Sequence, residues 1–378
     1  MSRAAIAMSG GVDSSTAALL LKESGYDPIG LSMQLWDQRR NCEGKENAAV
    51  RATRCCSLDD LYDARAAAAL LGIPCYVADF QKEFEDYVVR PFVDEYRRGR
   101  TPSPCIHCNS RLKFDHLTRL AKDAGADSIA TGHYARVARN EQNGRFMLLE
   151  ARDKSKDQSY FLFELTQEQL ARALFPLGGL TKREVREIAR RHNLPTAEKA
   201  ESQEICFVPD GDYAAFVEQY QPRSGNMQIA APLPGKIIDA EGNILSSHKG
   251  IHHYTIGQRR GLGIAHSEPL YVLEIRPEEN AVVVGERRLL GRSRCLVEQA
   301  NWIAMPNLTT PLRVTAKIRS RHTPALALIE PYEDGNVSVT FDEPQAGITP
   351  GQACVFYQNE IVVGGGWIAV PPPVTDIL

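Results

Sequence analysis

The sequence predicts an α/β chain with a β-rich end: a parallel sheet covered by helices, then a small linking module, then a C-terminal β-barrel. Two observations carry this. Up to about Cys206, apolar strand-like runs alternate with helix-length segments, the βαβα order of a parallel sheet. Beyond it, short strands follow one another between turn residues with no helical period.

Taken in order, Ala4 to Met8 reads as a strand, Ser14 onward as a helix, Ile29 to Leu35 as a strand, and DDLYDARAAAALLG from Leu58 as a second helix. PCYVADF is the next strand, followed by a long helix through EFEDYVVRPFVDEYRRG, the loop TPSPCIHCNS, a helix through RLKFDHLTRLAKDAG and a strand at DSIATGH. Between Asp37 and Arg54 the chain is polar and aperiodic, which predicts an excursion loop. After SQEICFVPDGDY the texture changes. PGKIIDAEGNIL reads as strand, turn, strand, and LYVLEIRP, AVVVGE, RVTAKIRSR, ALALIEP, VSVTFDE and QACVFYQNEIVVGGGWI read as strands from Pro269 on. The expected domains are 1–207, 208–268 and 269–378.

With 378 residues, 43% of them hydrophobic, the chain has material for two or three cores. A net charge of −3 excludes global basicity, so a polyanion would have to use local basic surfaces. MSRAAIAMSGG runs straight into a strand with no room for a leader, and no apolar run reaches membrane-spanning length. A soluble, cytoplasmic protein is expected. Nine cysteines, odd in number and unevenly spaced, do not suggest a secreted disulfide framework. In a reducing compartment they point to chemistry or metal binding.

The stretch AAIAMSGGVDSSTAALLLKESG passes from strand to glycine pair to helix. Ser9, Gly10 and Gly11 let the backbone approach an anion, and the helix that follows aims its first N–H groups at it. A Walker-type loop would carry a lysine for the β and γ phosphates, but here the acid Asp13 stands in S-G-G-V-D-S and no lysine is present. Asp13 is a candidate Mg²⁺ ligand, because hard cations at nucleotide phosphates prefer oxygen. Met33, toward the end of the second strand, is a candidate border to an adenine.

In GRTPSPCIHCNSRLKF a thiol sits at a helix start near Arg100, Arg111 and Lys113, a setting that lowers its pKa. Taken alone, Cys105-Ile-His-Cys108 admits half a zinc site, a redox pair or structure, and the zinc reading lacks a partner pair because Cys55 and Cys56 are adjacent rather than spaced. Cys206 follows the polar approach EKAESQEIC.

SGGVDSS resembles the pyrophosphate loop of the N-type ATP pyrophosphatases, the adenine nucleotide alpha hydrolase-like fold, which implies cleavage between the α and β phosphates. Together with GRTPSPCIHCN, ATGHYAR, KDQSYFL, SQEICFVPDGDY, HKGIHHYTIGQRRGLG and PGQACVFY, it resembles the tRNA-uridine 2-sulfurtransferase (tRNA-specific 2-thiouridylase) family over almost the full length. The resemblance implies an enzyme that uses ATP to adenylate the 2-oxygen of a tRNA wobble uridine, then replaces that oxygen with persulfide sulfur. It implies ATP contacts at Ala7, Met8, Ser9, Gly10, Gly11, Val12, Asp13, Ser14, Met33 and Gly132, with Mg²⁺ at Asp13. Cys206 matches the persulfide carrier and Cys108 the nucleophile that completes sulfur release, leaving a Cys108–Cys206 disulfide to be reduced.

Ser103, Pro104 and Cys105 match positions facing the target base, and His133, Lys156, Asp157, Gln158, Arg319, Ser320 and Gln352 match tRNA contacts. Partners implied are tRNA and a persulfide-donor protein, with no membrane. One common form of the family has Asp where this chain has Cys105, which opens a second route in which Cys105, Cys108 and Cys206 hold a [4Fe–4S] cluster. In RVTAKIRSRH the alternation of Lys317, Arg319 and Arg321 predicts one shared strand face. His252, His253 and Tyr254 are read as holding the linking module together. Two readings from other classes compete: a pyrophosphate-loop ligase, which leaves the cysteines and barrel unexplained, and an idle RNA-binding protein, which has no need of Asp13 or the cysteines.

Overall fold

The computed structural model describes residues 2–36, 58–200, 205–208, 211–222 and 233–370. The expected excursion loop from Asp37 to Arg54 lies outside the described residues.

The elements run β1 (Arg3–Ala7), α1 (Val12–Glu23), β2 (Asp27–Gln34), α2 (Leu58–Leu71), β3 (Cys75–Asp79), α3 (Gln81–Phe84), α4 (Arg90–Arg97), α5 (Pro104–His107), α6 (Leu117–Asp123), β4 (Ser128–Ala130), β5 (Ala135–Arg139), β6 (Phe146–Glu150), α7 (Gln167–Arg172), β7 (Ala173–Leu174), α8 (Lys182–Arg191) and α9 (Tyr213–Gln219). There follow β8 (Gly235–Ile238), β9 (Ile244–His248), β10 (Leu270–Arg276), β11 (Ala281–Glu286), β12 (Gly291–Trp302), β13 (Leu312–Lys317), β14 (Ala325–Pro331), β15 (Val337–Ala346), β16 (Ala353–Gln358) and β17 (Ile361–Ile368). The two long helices expected in the first half are not uniform. A π-helical turn, Glu85–Val89, separates α3 from α4, and a longer π-helical stretch, Cys108–His116, joins α5 to α6.

The chain divides into two compact units, the first comprising residues 1–89, 105–213 and 359–362. Its sheet is parallel in the order β3-β2-β1-β4-β7. Ala4, Ala5 and Ile6 of β1 are fully buried, as a central strand covered on both faces must be. The small side chains Ser15, Thr16, Ala17 and Ala18 let α1 pack closely on the sheet, and Ala64, Ala67 and Ala68 of α2 are likewise buried. Capping boxes start α7 at Thr166 with Gln169, and α8 at Thr181 with Glu184, each satisfying backbone donors at a helix N-terminus. The β5–β6 hairpin carries Ile361 and Val362 on its edge. Beside it Lys154 and Arg136 both donate to the Glu360 carboxylate, which holds its pKa at about 2.

The second unit comprises residues 90–104, 214–358 and 363–378. Strands β10-β11-β8-β9 form one sheet, with β8 and β11 parallel and the other pairs antiparallel. Strands β12-β15-β14-β13-β16-β17 form another, closed into a barrel by pairing of β12 with β17. The strand run read from Pro269 therefore divides: its first two strands, β10 and β11, join the sheet of β8 and β9, and the rest close the barrel together with β12, which was not read in the sequence. Alternation sets the barrel core: Val314 and Ala316, Ala327 and Ile329, and Val337, Val339 and Phe341 point inward from three successive strands. The expected shared face of Lys317, Arg319 and Arg321 does not form. β13 ends at Lys317, which is buried with its ammonium 5.3 Å from the centre of the Tyr357 ring, while Arg319 and Arg321 lie beyond the strand and are exposed.

Candidate functional site

In the first unit the strand order reverses at β1, whose neighbours are β2 and β4, and the loops leaving β1 and β4 flank the crevice where open α/β sheets bind ligands. The loop after β1 is SGGVD. Gly10 has φ 71°, and a Cβ there would run into the backbone carbonyl of Asp60. Ser14 Oγ lies 3.3 Å from Ser9 Oγ and donates to the Gly11 carbonyl at 3.1 Å. Gly11 caps α1 without a side-chain hydrogen bond, leaving the first N–H groups of that helix to an incoming acceptor. From the loop after β4, Gly132 closes on the same place: a Cβ there would lie 2.8 Å from Ser14 N and 3.1 Å from Asp13 Cβ. Met8 is buried beneath the loop and Met33, in β2, is half-buried.

Two side chains meet at Asp13. Tyr134 Oη donates to Oδ1 at 2.8 Å, and Lys182 Nζ donates to Oδ1 and Oδ2, each at 2.8 Å. Lys182, the first residue of α8, is held by the Thr181 capping box and by donation of its own N–H to Asp153 Oδ2 at 3.0 Å. A second cation, Lys199, donates to the Gly10 carbonyl at 3.0 Å. A lysine absent from the loop is thus supplied from 169 residues away. Neither lysine nor Tyr134 was legible in the sequence, since Lys182 has the pattern of any helix-surface lysine.

Cys105 sits in the first turn of α5 and is exposed, Cys108 opens the π-helical stretch and is buried, and Cys206 is half-buried. Two of the three cations expected near these thiols have other partners, since Arg100 pairs with Glu95 at 2.7 Å and Lys113 donates to Asn109 Oδ1 at 3.0 Å, while Arg111 is exposed. His107 lies between the two cysteines of the loop with Nδ1 3.6 Å from Glu164 Oε2, and the same oxygen accepts from Ser110 Oγ at 2.6 Å.

Comparison with known proteins accounts for this combination. The sequence matches the tRNA methyl transferase HUP domain over residues 2–210, the tRNA methyl transferase PRC-barrel domain over 227–286 and the aminomethyltransferase β-barrel domain over 292–368. Proteins named tRNA-specific 2-thiouridylase from Koribacter versatilis and Acidobacterium capsulatum are each 52% identical, and one from Solibacter usitatus is 50% identical. All three alignments cover 96% of this chain and 98% of the relative. The chain belongs to the tRNA-specific 2-thiouridylase family.

Several positions expected from the sequence to contact tRNA have structural partners in this chain. His133 is buried between Phe114 and Phe175, with Nδ1 2.7 Å from Thr131 Oγ1, and burial pushes its pKa well below the usual histidine value. It is neutral at physiological pH. Asp157 accepts from the N–H groups of Ala151 and Ser159, and Gln158 Oε1 accepts from the N–H of Tyr134 at 2.9 Å, so this segment supports the loop after β4. Lys156 is half-exposed. In the second unit Gln352 donates to the carbonyls of Thr101 and Pro102 at 3.0 and 3.1 Å, holding the chain just before the buried residues Ser103 and Pro104. Arg319 and Ser320 are exposed, with Arg319 donating to the Ala346 carbonyl at 3.1 Å. His252 is buried, and Nε2 atoms of His252 and His253 lie 3.2 and 3.0 Å from Glu218 Oε1, in keeping with a structural role for the histidine pair. Among the described residues no helix is long and apolar enough to cross a membrane.

Proposed function

We propose that this chain is a sulfur-transferring enzyme that uses ATP to convert the wobble uridine of tRNA to 2-thiouridine. The observation that carries the proposal is the meeting of the SGGVD loop, Gly132 and the Asp13–Lys182 pair where the sheet order reverses, in a chain about half identical to 2-thiouridylases over nearly its whole length.

A uracil carbonyl is a poor electrophile because its oxygen is a poor leaving group. The 2-oxygen attacks the α-phosphorus of ATP, the bond to the β-phosphate breaks, and pyrophosphate departs with the electron pair. The N–H groups at the start of α1 face the phosphates, and Lys182 neutralises the leaving pyrophosphate, a charge-assisted contact where a Walker lysine is missing. Ala7, Met8 and Val12 carry the loop, with Met33 and Gly132 bordering the nucleotide. Asp13, an oxygen donor whose side chain is 31% exposed, suits Mg²⁺, which supplies charge neutralisation at the phosphates when bound.

Sulfur then arrives from a persulfide-donor protein as a persulfide on Cys206. Its terminal sulfur attacks C2 of the activated base and AMP leaves with the C–O electron pair. The Cys108 thiolate attacks Cys206 Sγ, breaking the sulfur–sulfur bond and leaving sulfur on the base. The resulting Cys108–Cys206 disulfide is reset by a dithiol reductant. In a second route Cys105, Cys108 and Cys206, thiols of the type that ligate iron–sulfur clusters, would hold such a cluster, with the exposed Cys105 standing where one common form of the family has an aspartate.

Nucleoside mass spectrometry of unmodified tRNA, incubated with the protein, ATP, Mg²⁺ and a persulfide donor, tests the proposal. The expected result is 2-thiouridine, lost in Cys206→Ala and Cys108→Ala while tRNA affinity stays within about twofold. No 2-thiouridine, with tRNA and donor shown to be competent, overturns it. Formation only in anaerobic, iron-loaded protein selects the cluster route.

A further inference from the structure

The second unit gathers three metal-ligating side chains at one point. Nε2 of His252 and Nε2 of His253 lie 3.2 and 3.0 Å from the same oxygen, Oε1 of Glu218, and the three atoms all fall within 4.8 Å of one another. A carboxylate can offer its two oxygens to two donors, yet both imidazoles converge on one. Glu218 comes from α9, and the histidines come from the short 3₁₀ turn Ile251–His253, where the two rings lie 4.3 Å apart between centres.

Two imidazole nitrogens and a carboxylate oxygen are a donor set for Zn²⁺, which takes such ligands in a tetrahedral array at about 2.0–2.2 Å. Ligand atoms at those distances and that angle stand roughly 3.3 Å from each other. Both nitrogen–oxygen separations here are therefore close to the edge of such a tetrahedron. Mg²⁺ and Ca²⁺ prefer oxygen ligands, so the two nitrogens select against them. The His252 side chain is 1% exposed and that of Glu218 41%, so the cluster has one wall in the protein and one side open to water, through which an ion can enter. The cation beside the cluster, Arg97, donates from Nη2 to the Val217 carbonyl at 3.0 Å, and Asp94 opposes its charge. That hydrogen bond fastens α9 next to Glu218 without any metal, so the three ligands stand pre-organised and little ordering is left for an ion to impose.

We propose that Glu218, His252 and His253 form a Zn²⁺ site that clasps α9 to the turn Ile251–His253, with water in the fourth position. The ion replaces two imidazole–carboxylate hydrogen bonds with three coordinate bonds and ties together segments 34 residues apart. The site shares no residue with the nucleotide crevice or with the sulfur-transfer cysteines, and the inference does not depend on the activity proposed above.

The test measures Zn²⁺ uptake by the full-length, reduced protein through competition with a chromophoric zinc chelator in excess Mg²⁺. Cysteines also take up Zn²⁺, so the parent is compared with variants that keep every cysteine, and the difference is read. The parent is expected to hold one Zn²⁺ per chain more than Glu218→Gln or His253→Gln, in which affinity at this site falls by about 100-fold, the upper end of what loss of even an outer-shell partner causes. Both substituted side chains are partly exposed, and Glu218→Gln keeps the shape of the original, so it decides the matter should the histidine variant fail to fold. With Co²⁺ in place of Zn²⁺, the absorption lost in the variants is expected to show visible ligand-field bands without thiolate charge transfer. Parental Zn²⁺ uptake in either folded variant overturns the proposal and leaves the three residues as a hydrogen-bonded cluster. A lost Co²⁺ spectrum that carries thiolate charge transfer overturns it as well, by placing the ion on cysteines.

Discussion

At the scale of single residues, the cation at Asp13 separates this loop from Walker-type loops. A lysine inside the loop would sit beside the β and γ phosphates, whereas Lys182 reaches in from the first turn of α8 to a carboxylate at the start of α1. Its side chain is 12% exposed, so its charge is less screened than that of a surface lysine. Lys182→Met should weaken ATP binding by about tenfold or more, since a hydrogen bond to a charged group contributes roughly 1.5–3 kcal/mol. AMP, which lacks the departing phosphates, should lose less. Calorimetry with both nucleotides checks this, and equal losses for the two would place Lys182 elsewhere. The sequence displayed Asp13 because its neighbours Gly10, Gly11 and Ser14 make a local pattern. It concealed Lys182, Tyr134 and Lys199 because each lies 121 to 189 residues from the atom it holds.

At the scale of elements, the close approach of two loops matters more than any one helix. Gly132 lets the turn after β4 rest on the first turn of α1, and it can do so only without a side chain. Gly132→Ala must push Ser14 and Asp13 away, which should cost about 1–3 kcal/mol as overpacking does. Urea denaturation checks the value. Gly179→Ala serves as the control, since a Cβ there meets nothing within 4 Å and its stability should change by no more than about 0.5 kcal/mol. The strands and helices up to β4 were legible from their periods, apart from α5, which was read as a loop, and the π-helical turns that interrupt two of the helices, whereas β5, β6, α7, β7 and α8 were not read. Apolar periods mark whole helices and do not by themselves show where an extra residue enters a turn.

At the scale of the whole chain, a net charge of −3 requires that tRNA be met by local cations rather than by a general field. The structure reduces the set read from the barrel: Lys317 packs against Tyr357, and Arg319 and Arg321 remain exposed after β13. Arg319→Ala should reduce the slope of log K against log salt by about 0.7 to 0.9, the value of one phosphate contact. A filter-binding series over salt concentration measures it. An unchanged slope would remove Arg319 from the interface.

The sequence by itself determined the class of the fold, the phosphate loop and the spacing of Cys105, Cys108 and Cys206. Each of these is written in consecutive residues, where strand, turn and helix preferences act locally. Tertiary structure alone decided what surrounds them. The pairing order β3-β2-β1-β4-β7 places Gly132 against α1, and the packing of α8 on the same crevice delivers Lys182 to Asp13 and clasps the chain that carries Lys199 to Gly10. Those meetings join segments far apart in the chain, and the energy that selects them comes from burying whole elements, which no short stretch of sequence records.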